Sequence, residues 1–191
     1  FHSYLNLGKE SEEYFCYGAD DGNLDYYILG GETMAEVIKN YTYLTGRTPL
    51  PQLWTLGYHQ SRWGYTSAKD IMEIAEKYRK LQIPCDVIHL DIDYMDNFKV
   101  FTWDEEYYDK KGVLCDKMEQ LGFKPVTIID PGTKKEDGYF MYEEGVKKGY
   151  FAKDTEGNIY VNEVWPGESV FPDFGRKEVR DWWADHHKEL L

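Results

Sequence analysis

Three apolar runs alternate with two amphipathic helical patterns between residues 54 and 130, and this alternation restricts the fold more than any other feature. The apolar runs, at residues 54–59, 86–92 and 124–130, have the length and composition of buried strands. The helical patterns lie between them. This order predicts parallel strands joined by right-handed crossovers, so we expect an α/β fold.

The two helical patterns have recognisable ends. Ser67 is the expected N-cap of the first, with Asp70 three residues on, close to a capping box. Gly122 follows the second and suits the residue after a helix. No Gly-x-Gly-x-x-Gly or P-loop sequence follows any predicted strand, which disfavours a nucleotide-binding sheet. We therefore predict a partial TIM (β/α)8 barrel that contains the first three β-α units.

Polar residues follow each predicted strand, at residues 59–63, at Asp91 and Asp93, and at Asp130. Alternation along the second strand predicts that His89, Asp91 and Asp93 point to one face. Three interpretations of this segment remain open at this point. It holds solvated loop acids, a metal site supplied from one side of the strand, or a sugar pocket in which an ionised Asp accepts hydrogen bonds from two hydroxyls.

The rest of the chain divides around residue 48, where two prolines mark an extended linker. Residues 1–47 are predicted to be the end of an N-terminal β-sandwich with a connecting helix. Residues 48–191 are predicted to be the N-terminal part of the barrel, with an irregular insertion at about 133–175. Three local features are predicted in these segments: a strand at Tyr26–Leu29, a helix that begins after Thr33, and a helix at Tyr142–Lys148.

Composition excludes several classes of partner. The formal net charge of −13 disfavours nucleic acid and anionic membranes, and no apolar run approaches the length of a membrane span. The three cysteines lack metal-site spacing, so we expect thiols in a reducing, cytoplasmic compartment. Because the sequence opens on Phe1 and not on Met, we expect a piece of a longer protein.

Distinctive motifs occupy four segments: residues 57–65 (GYHQSRWGY), Asp91 to Asp96 (DIDYMD), Ile129 to Gly132 (IDPG), and Trp165-Pro166-Gly167 with Phe171 to Phe174. In this order they resemble the strand motifs of glycoside hydrolase family 31, the α-glucosidase family. They span nearly the whole barrel segment, so together they are far more specific than any one of them.

The resemblance implies roles for five residues in the pocket that binds the terminal glucosyl unit, the −1 pocket. Asp91 would bind hydroxyl groups of the sugar. Ile92 and Ile129 would form apolar walls. Trp63 would lie at the rim and Trp165 near the scissile bond, although each tryptophan could equally pack in the core.

Four further residues are expected to support this pocket from behind: His59, Arg62, Asp93 and Asp130. The two acids would hold the strand-end loops by hydrogen bonds. A buried Arg62 would need Asp91 or Asp93 nearby to compensate its charge.

The family's catalytic nucleophile lies in a Trp-x-Asp-Met-Asn-Glu-Pro motif, and this string does not occur in the chain. The resemblance therefore implies the sugar-binding part of a retaining α-glucosidase, with no catalytic residue and no cofactor of its own. Such a chain is expected to be inactive alone, and to fold as a homo-oligomer or in an open α/β layout. The alternatives are a non-catalytic carbohydrate-binding module and a metal-dependent enzyme built on His89, Asp91 and Asp93.

Overall fold

The computed structural model describes residues 3–190, without the side chains of residues 111 and 189. The chain divides into two compact units, Phe1–Leu50 and Pro51–Leu191. Among the helices of the described residues, none combines the length and the apolar character needed to cross a membrane.

The first unit contains a short hairpin. Strand β1 (Ser3–Asn6) pairs antiparallel with strand β2 (Cys16–Ala19). The strand predicted at Tyr26–Leu29 is wrong, since that segment belongs to neither a helix nor a strand. Its residues favour β structure, but a strand persists only where a neighbouring strand pairs with it, and no described segment does so.

The same unit contains helix α1 (Met34–Thr45). The Thr33 hydroxyl accepts a hydrogen bond from the amide of Glu36 at 3.3 Å. In return, the Glu36 carboxylate accepts one from the amide of Thr33 at 3.2 Å. This reciprocal capping box confirms the predicted start of the helix.

The second unit contains a parallel sheet of three strands, β3 (His59–Gln60), β4 (Val87–Leu90) and β5 (Lys124–Thr127), in that order. Helix α2 (Ala68–Lys80) joins β3 to β4, and helix α3 (Lys111–Gln120) joins β4 to β5. The predicted strand–helix alternation is therefore confirmed. Because the strands are parallel, their carboxyl ends lie along one edge of the sheet.

Local capping and apolar packing fix the helices against this sheet. The Ser67 hydroxyl accepts a hydrogen bond from the amide of Asp70 at 3.2 Å, which confirms the predicted N-cap of α2. After α3, Gly122 adopts a left-handed conformation with φ of 77°, as expected for a helix end. Residues of α2, β4 and α3 share one buried cluster: Ile71, Ala75, Ile88, Leu90, Leu114 and Met118.

The strands are shorter than predicted. Leu53–Leu56 forms a 3₁₀ helix and not the start of a strand. The amide of Thr55 donates to the carbonyl of Gln52 at 3.0 Å, and the amide of Gly57 donates to that of Trp54 at 3.1 Å. These amides are therefore not available to a neighbouring strand.

Strand β4 ends at Leu90, and Asp91 is the N-cap of a 3₁₀ helix at Ile92–Tyr94. The prediction that His89, Asp91 and Asp93 point to one face of a strand is therefore wrong, because the strand ends at Leu90. The turn gives each acid its own direction, because a 3₁₀ helix has about three residues per turn.

The segment after Gly132 is more regular than predicted. It contains helix α4 (Phe140–Lys148), which confirms the predicted short helix. It also contains an antiparallel sheet that the sequence did not predict, formed by β6 (Thr133–Lys134), β7 (Val161–Val164) and β8 (Gly167–Val170) in the order β6-β8-β7. Helix α5 (Lys177–Leu190) follows. Strands β7 and β8 form a hairpin whose tip carries Trp165.

Candidate functional site

A cleft of about 320 Å³ lies at the carboxyl ends of the parallel strands. In α/β sheets and barrels this edge carries the functional side chains, because the loops that follow the strands converge there. Here the loop after β3, the turns after β4 and β5, and the tip of the β7–β8 hairpin all contribute. Its lining consists of two tryptophans, two isoleucines and two acids: Trp63, Trp165, Ile92, Ile128, Asp91 and Asp130.

Asp91 is held at the base of this cleft by its own turn. One carboxylate oxygen, Oδ1, accepts a hydrogen bond from the amide of Ile92 at 2.7 Å. No other hydrogen bond to Asp91 comes from the described residues. A fixed carboxylate with spare acceptor capacity can bind two adjacent hydroxyl groups of a sugar.

The two tryptophans stand at the surface and not in the core. Trp63 and Trp165 are each 72% exposed. Core packing is therefore excluded for both, within the part of the chain that the structure describes. An exposed indole beside a carboxylate offers a flat apolar face to a sugar ring, while the acid takes its hydroxyls.

The apolar side chain that follows β5 into the cleft is Ile128, whereas the family resemblance had pointed to Ile129. Ile128 lines the cleft and is 39% exposed, while Ile129 packs against the core cluster. Successive side chains of an extended segment point to opposite faces, so only one of the two can reach the cleft. The register of β5 on β4 fixes which one: Ile129 has the parity of Thr127, which pairs with the core residue Leu90.

The expected supporting residues do not all lie where predicted. Arg62 is exposed, and among the described residues it forms no ion pair with Asp91 or Asp93. Asp130 lies in the cleft itself. Arg62 can stay exposed because the guanidinium is stable in water and needs no buried acid there.

His59 contacts a second histidine, His89. Its Nδ1 lies 3.1 Å from Nε2 of His89, and Trp54 stacks on its ring with centroids 6.3 Å apart. Burial lowers the pKa of His89, and the nearby His59 lowers it further. The neutral form of His89 is therefore favoured.

Among the side chains that the structure describes, His, Cys, Asp and Glu do not gather into any group of three or more that could hold a metal ion. Because Asp91 caps its own turn and His89 pairs with His59, these residues do not converge with Asp93 on one point. The metal-dependent alternative therefore has no structural support.

Asp93 lies in the turn after β4, and its surroundings shift its pKa. Burial raises the pKa of its carboxyl, the amide of Gly64 opposes that shift by hydrogen bonding, and the charge of Asp91 adds to it. Its Oδ2 atom is buried without a partner among the described residues. The folded state therefore disfavours the ionised form of Asp93.

Asp93→Asn is consequently expected to raise the melting temperature of the complete protein at neutral pH. The gain should be full above the raised pKa, should decline as the pH falls through it, and should vanish below the ordinary value of 3.8, where the wild-type carboxyl is protonated in both states. Calorimetry of the variant and the wild type across this pH range measures the gain in melting temperature.

Asp70→Asn is a control that should change stability in the opposite direction, because the Ser67 hydroxyl holds the pKa of Asp70 below its ordinary value. That variant should be less stable at neutral pH, and its deficit should disappear at low pH. If the stabilities of the two variants depended on pH in the same way, the raised pKa of Asp93 would be contradicted.

The family model and the known proteins that resemble this chain all point to the same family. Residues 48–191 match the family described as "Glycosyl hydrolases family 31 TIM-barrel domain". "Alpha-glucosidase 2" of Bacillus thermoamyloliquefaciens is 46% identical over 188 residues, which cover 98% of this chain and 24% of that protein. "Neutral alpha-glucosidase AB" of Dictyostelium discoideum is 39% identical over 166 residues, covering 87% of this chain and 18% of that protein. The chain thus spans about a quarter or less of the length of these relatives.

Among solved structures, a family 31 dextranase of Flavobacterium johnsoniae in complex with glucose superposes with a TM-score of 0.87 and 31% sequence identity. The match covers 99% of this chain and 23% of that protein.

Proposed function

The chain belongs to glycoside hydrolase family 31, and from this premise we propose that it forms the N-terminal part of the catalytic barrel of a retaining α-glucosidase. The first unit would be the end of a β-sandwich domain that precedes the barrel. Residues from 48 onward would supply the first three β-α units of the barrel and the insertion at about 133–175. The substrate would be an oligosaccharide with a terminal α-linked glucose.

The observation that carries this proposal is the cleft with Asp91 at its base and Trp63 and Trp165 at its rim. Its volume of about 320 Å³ is at the lower end of the ~300–1,000 Å³ usual for ligand sites, which suits a single sugar unit. Asp91 would accept hydrogen bonds from two hydroxyls of the glucosyl unit, while Ile92 and Ile128 contact its apolar face. We assign no catalytic role to any acid of this chain.

The proposed chemistry needs no cofactor. A retaining glycosidase uses two carboxyl groups, one as nucleophile and one as acid/base, and passes through a covalent glycosyl-enzyme. Asp91 would bind and orient the sugar, so its contribution would be to hold the anomeric carbon in position for the nucleophile.

The test is hydrolysis of maltose and isomaltose by the complete protein that carries this chain. Glucose should be released from at least one of them, and proton NMR should detect the α-anomer first, as retention requires. Binding of glucose without hydrolysis of any α-glucoside would instead identify a carbohydrate-binding module. Release of the β-anomer first would contradict the retaining mechanism.

Two further proposals concern the setting of the protein. The cysteines form no disulfide within the described residues, which supports a reducing, cytoplasmic compartment.

Strands β3 and β5 each pair on one side only in the described part of the sheet, which supports a homo-oligomer for the isolated chain.

Trp63 is proposed to select between glycosidic linkages. An exposed indole at the rim restricts the angle at which the second sugar leaves the pocket, and it offers that sugar a stacking face. Trp63→Tyr should therefore change the ratio of kcat/KM on isomaltose to that on maltose by about threefold to tenfold. Steady-state kinetics on both disaccharides measures this ratio.

Trp103→Tyr is the matched control for Trp63→Tyr. Trp103 packs inside the unit against Tyr94 and Tyr108, with ring centroids 5.1 and 6.4 Å away. Its replacement should lower stability and leave the ratio unchanged. A ratio that does not respond to Trp63→Tyr would remove Trp63 from the specificity-determining residues.

A further inference from the structure

The end of strand β4 is connected to strand β3 by a contact between two histidines. Nδ1 of His59 on β3 lies 3.1 Å from Nε2 of His89 on β4, a hydrogen-bond distance, and the ring centroids are 5.3 Å apart. The indole of Trp54 stacks on the His59 ring. In the parallel pairing His59 lies beside Val87, so its side chain reaches two residues forward along β4 to make this contact.

The contact extends the connection between the two strands beyond their backbone pairing. That pairing ends at Gln60 and Ile88. On the other side of β4, the amide of Ile128 donates to the carbonyl of Leu90 at 3.1 Å, so β5 pairs with β4 up to its last residue. The histidine contact gives the end of β4 a connection on the β3 side as well.

The two histidines lie on the face of the sheet opposite the helices. Ile88 and Leu90 pack in the core cluster with residues of α2 and α3, and alternation along the strand places His89 on the other face. In a TIM barrel the helices form the outer ring, so this face is the inner one. The pair therefore lies on the inner face of the sheet, just before the strand ends that carry the cleft.

Apolar packing alone does not call for histidine at these positions. Nε2 of His59 is buried without a partner among the described residues. A buried polar atom without a hydrogen bond costs free energy that an apolar side chain of similar size would not cost. What the two imidazoles provide in return is a directed contact between the strands.

Asp91 is two residues beyond His89, directly after the end of β4. Its carboxylate fixes the turn that follows, by accepting from the amide of Ile92 at 2.7 Å. The carbonyl of Asp91 accepts from the amide of Tyr94 at 3.3 Å. The turn is therefore held by its own hydrogen bonds, and its place relative to the sheet depends on how the end of β4 is held.

We propose that His89, held by His59, is a positioning residue that fixes the Asp91 carboxylate relative to the sugar cleft. The inference rests on the proposed function, in which Asp91 binds the glucosyl unit. His89 itself does not line the cleft. It acts through the strand, and a displacement of about 1 Å at the site of reaction can lower the rate about a hundredfold.

The test is the kinetics of the complete protein with p-nitrophenyl α-glucoside. His89→Leu removes the contact and keeps an apolar side chain of similar size, so kcat/KM should fall about tenfold. His89→Gln and His89→Asn form a matched pair. The terminal amide of glutamine can reach the position of Nε2, which makes the contact, whereas that of asparagine reaches only the position of Nδ1. His89→Gln should therefore stay within about threefold of the wild type, and His89→Asn should lose as much as His89→Leu.

A double-mutant cycle with Asp91→Ala shows whether His89 acts through Asp91. In the Asp91→Ala background, His89→Leu should change kcat/KM by less than about twofold, because the group that it positions is already absent. His59→Leu should lose about tenfold on its own and add nothing to His89→Leu. It also tests the proposal if His89→Leu does not fold.

Val87→Ala is the control for a loss of packing on the same strand. Val87 is fully buried, has the parity of His89 and lies two residues before it, farther from Asp91. Its replacement should lower the melting temperature and leave kcat/KM within about twofold of the wild type.

Three results would contradict these proposals. Unchanged kcat/KM in both leucine variants would overturn the positioning role. Equal losses with and without the Asp91 carboxylate would also overturn it, because they would show a general effect on the fold. A wild-type protein that hydrolyses no α-glucoside would overturn the proposed function, and the same cycle would then be measured on the Kd of glucose.

Discussion

Replacing Asp91 by alanine in the complete protein is expected to lower kcat/KM on p-nitrophenyl α-glucoside by about a hundredfold or more. Each charge-assisted hydrogen bond to a sugar hydroxyl contributes about 1.5–3 kcal/mol, and two such bonds would be lost. The same change removes the hydrogen bond to the Ile92 amide, so a small loss of stability should accompany it. Kinetics and calorimetry of the same preparation separate the two effects.

Asp91→Asn distinguishes binding from folding. Its side-chain oxygen can still accept from the Ile92 amide, so the turn and the melting temperature should be preserved while the charge is lost. Its activity should lie between those of the wild type and the alanine variant. Normal turnover by a fully folded Asp91→Ala protein would show that this carboxylate does not bind the sugar.

The 191-residue chain by itself is expected to show no turnover of p-nitrophenyl α-glucoside. The acids that line its cleft are Asp91 and Asp130. A retaining mechanism needs two carboxyl groups about 5–5.5 Å apart across the scissile bond. Because Asp91 is proposed to bind hydroxyls, no such pair remains. Its described parallel sheet has three strands, whereas a closed barrel has eight.

The assay is incubation of the pure chain with the aryl glucoside, together with its mass in solution. Edge strands with unpaired backbone groups favour association, so we expect a mass above that of the 22.6 kDa monomer. Steady turnover that Asp91→Ala or Asp130→Ala abolishes would contradict the proposal that the chain lacks its own catalytic pair.

Features that depend on neighbours in the sequence could be predicted. The N-caps at Thr33 and Ser67, and the glycine that ends α3, rely on hydrogen bonds within a few residues. The strand–helix alternation follows from apolar periodicity, and Asp91 could be located because it directly follows a buried strand. Local physics and the motif order were therefore enough for the fold class, the family and the position of the cleft.

Strand lengths could not be predicted in the same way. The run at Leu53–Leu56 has strand-like composition, but its amides bond within their own turn. Asp91 ends the alternation of β4 by accepting from the next amide. Tyr26–Leu29 has β-forming residues without a partner among the described strands. In each case the outcome depends on which acceptor a backbone amide reaches, and composition does not specify that choice.

The sequence by itself determined which side chains follow the strands, while only the tertiary structure decided which of them share a cavity. Ile128 lines the cleft and Ile129 does not, because the pairing of β4 with β5 fixes the face of each. Lys99 reaches Glu136 across 37 residues, at 3.3 Å. Contacts of this range depend on how the β4–β5 turns and the β7–β8 hairpin pack together, and no local pattern in the sequence encodes that packing.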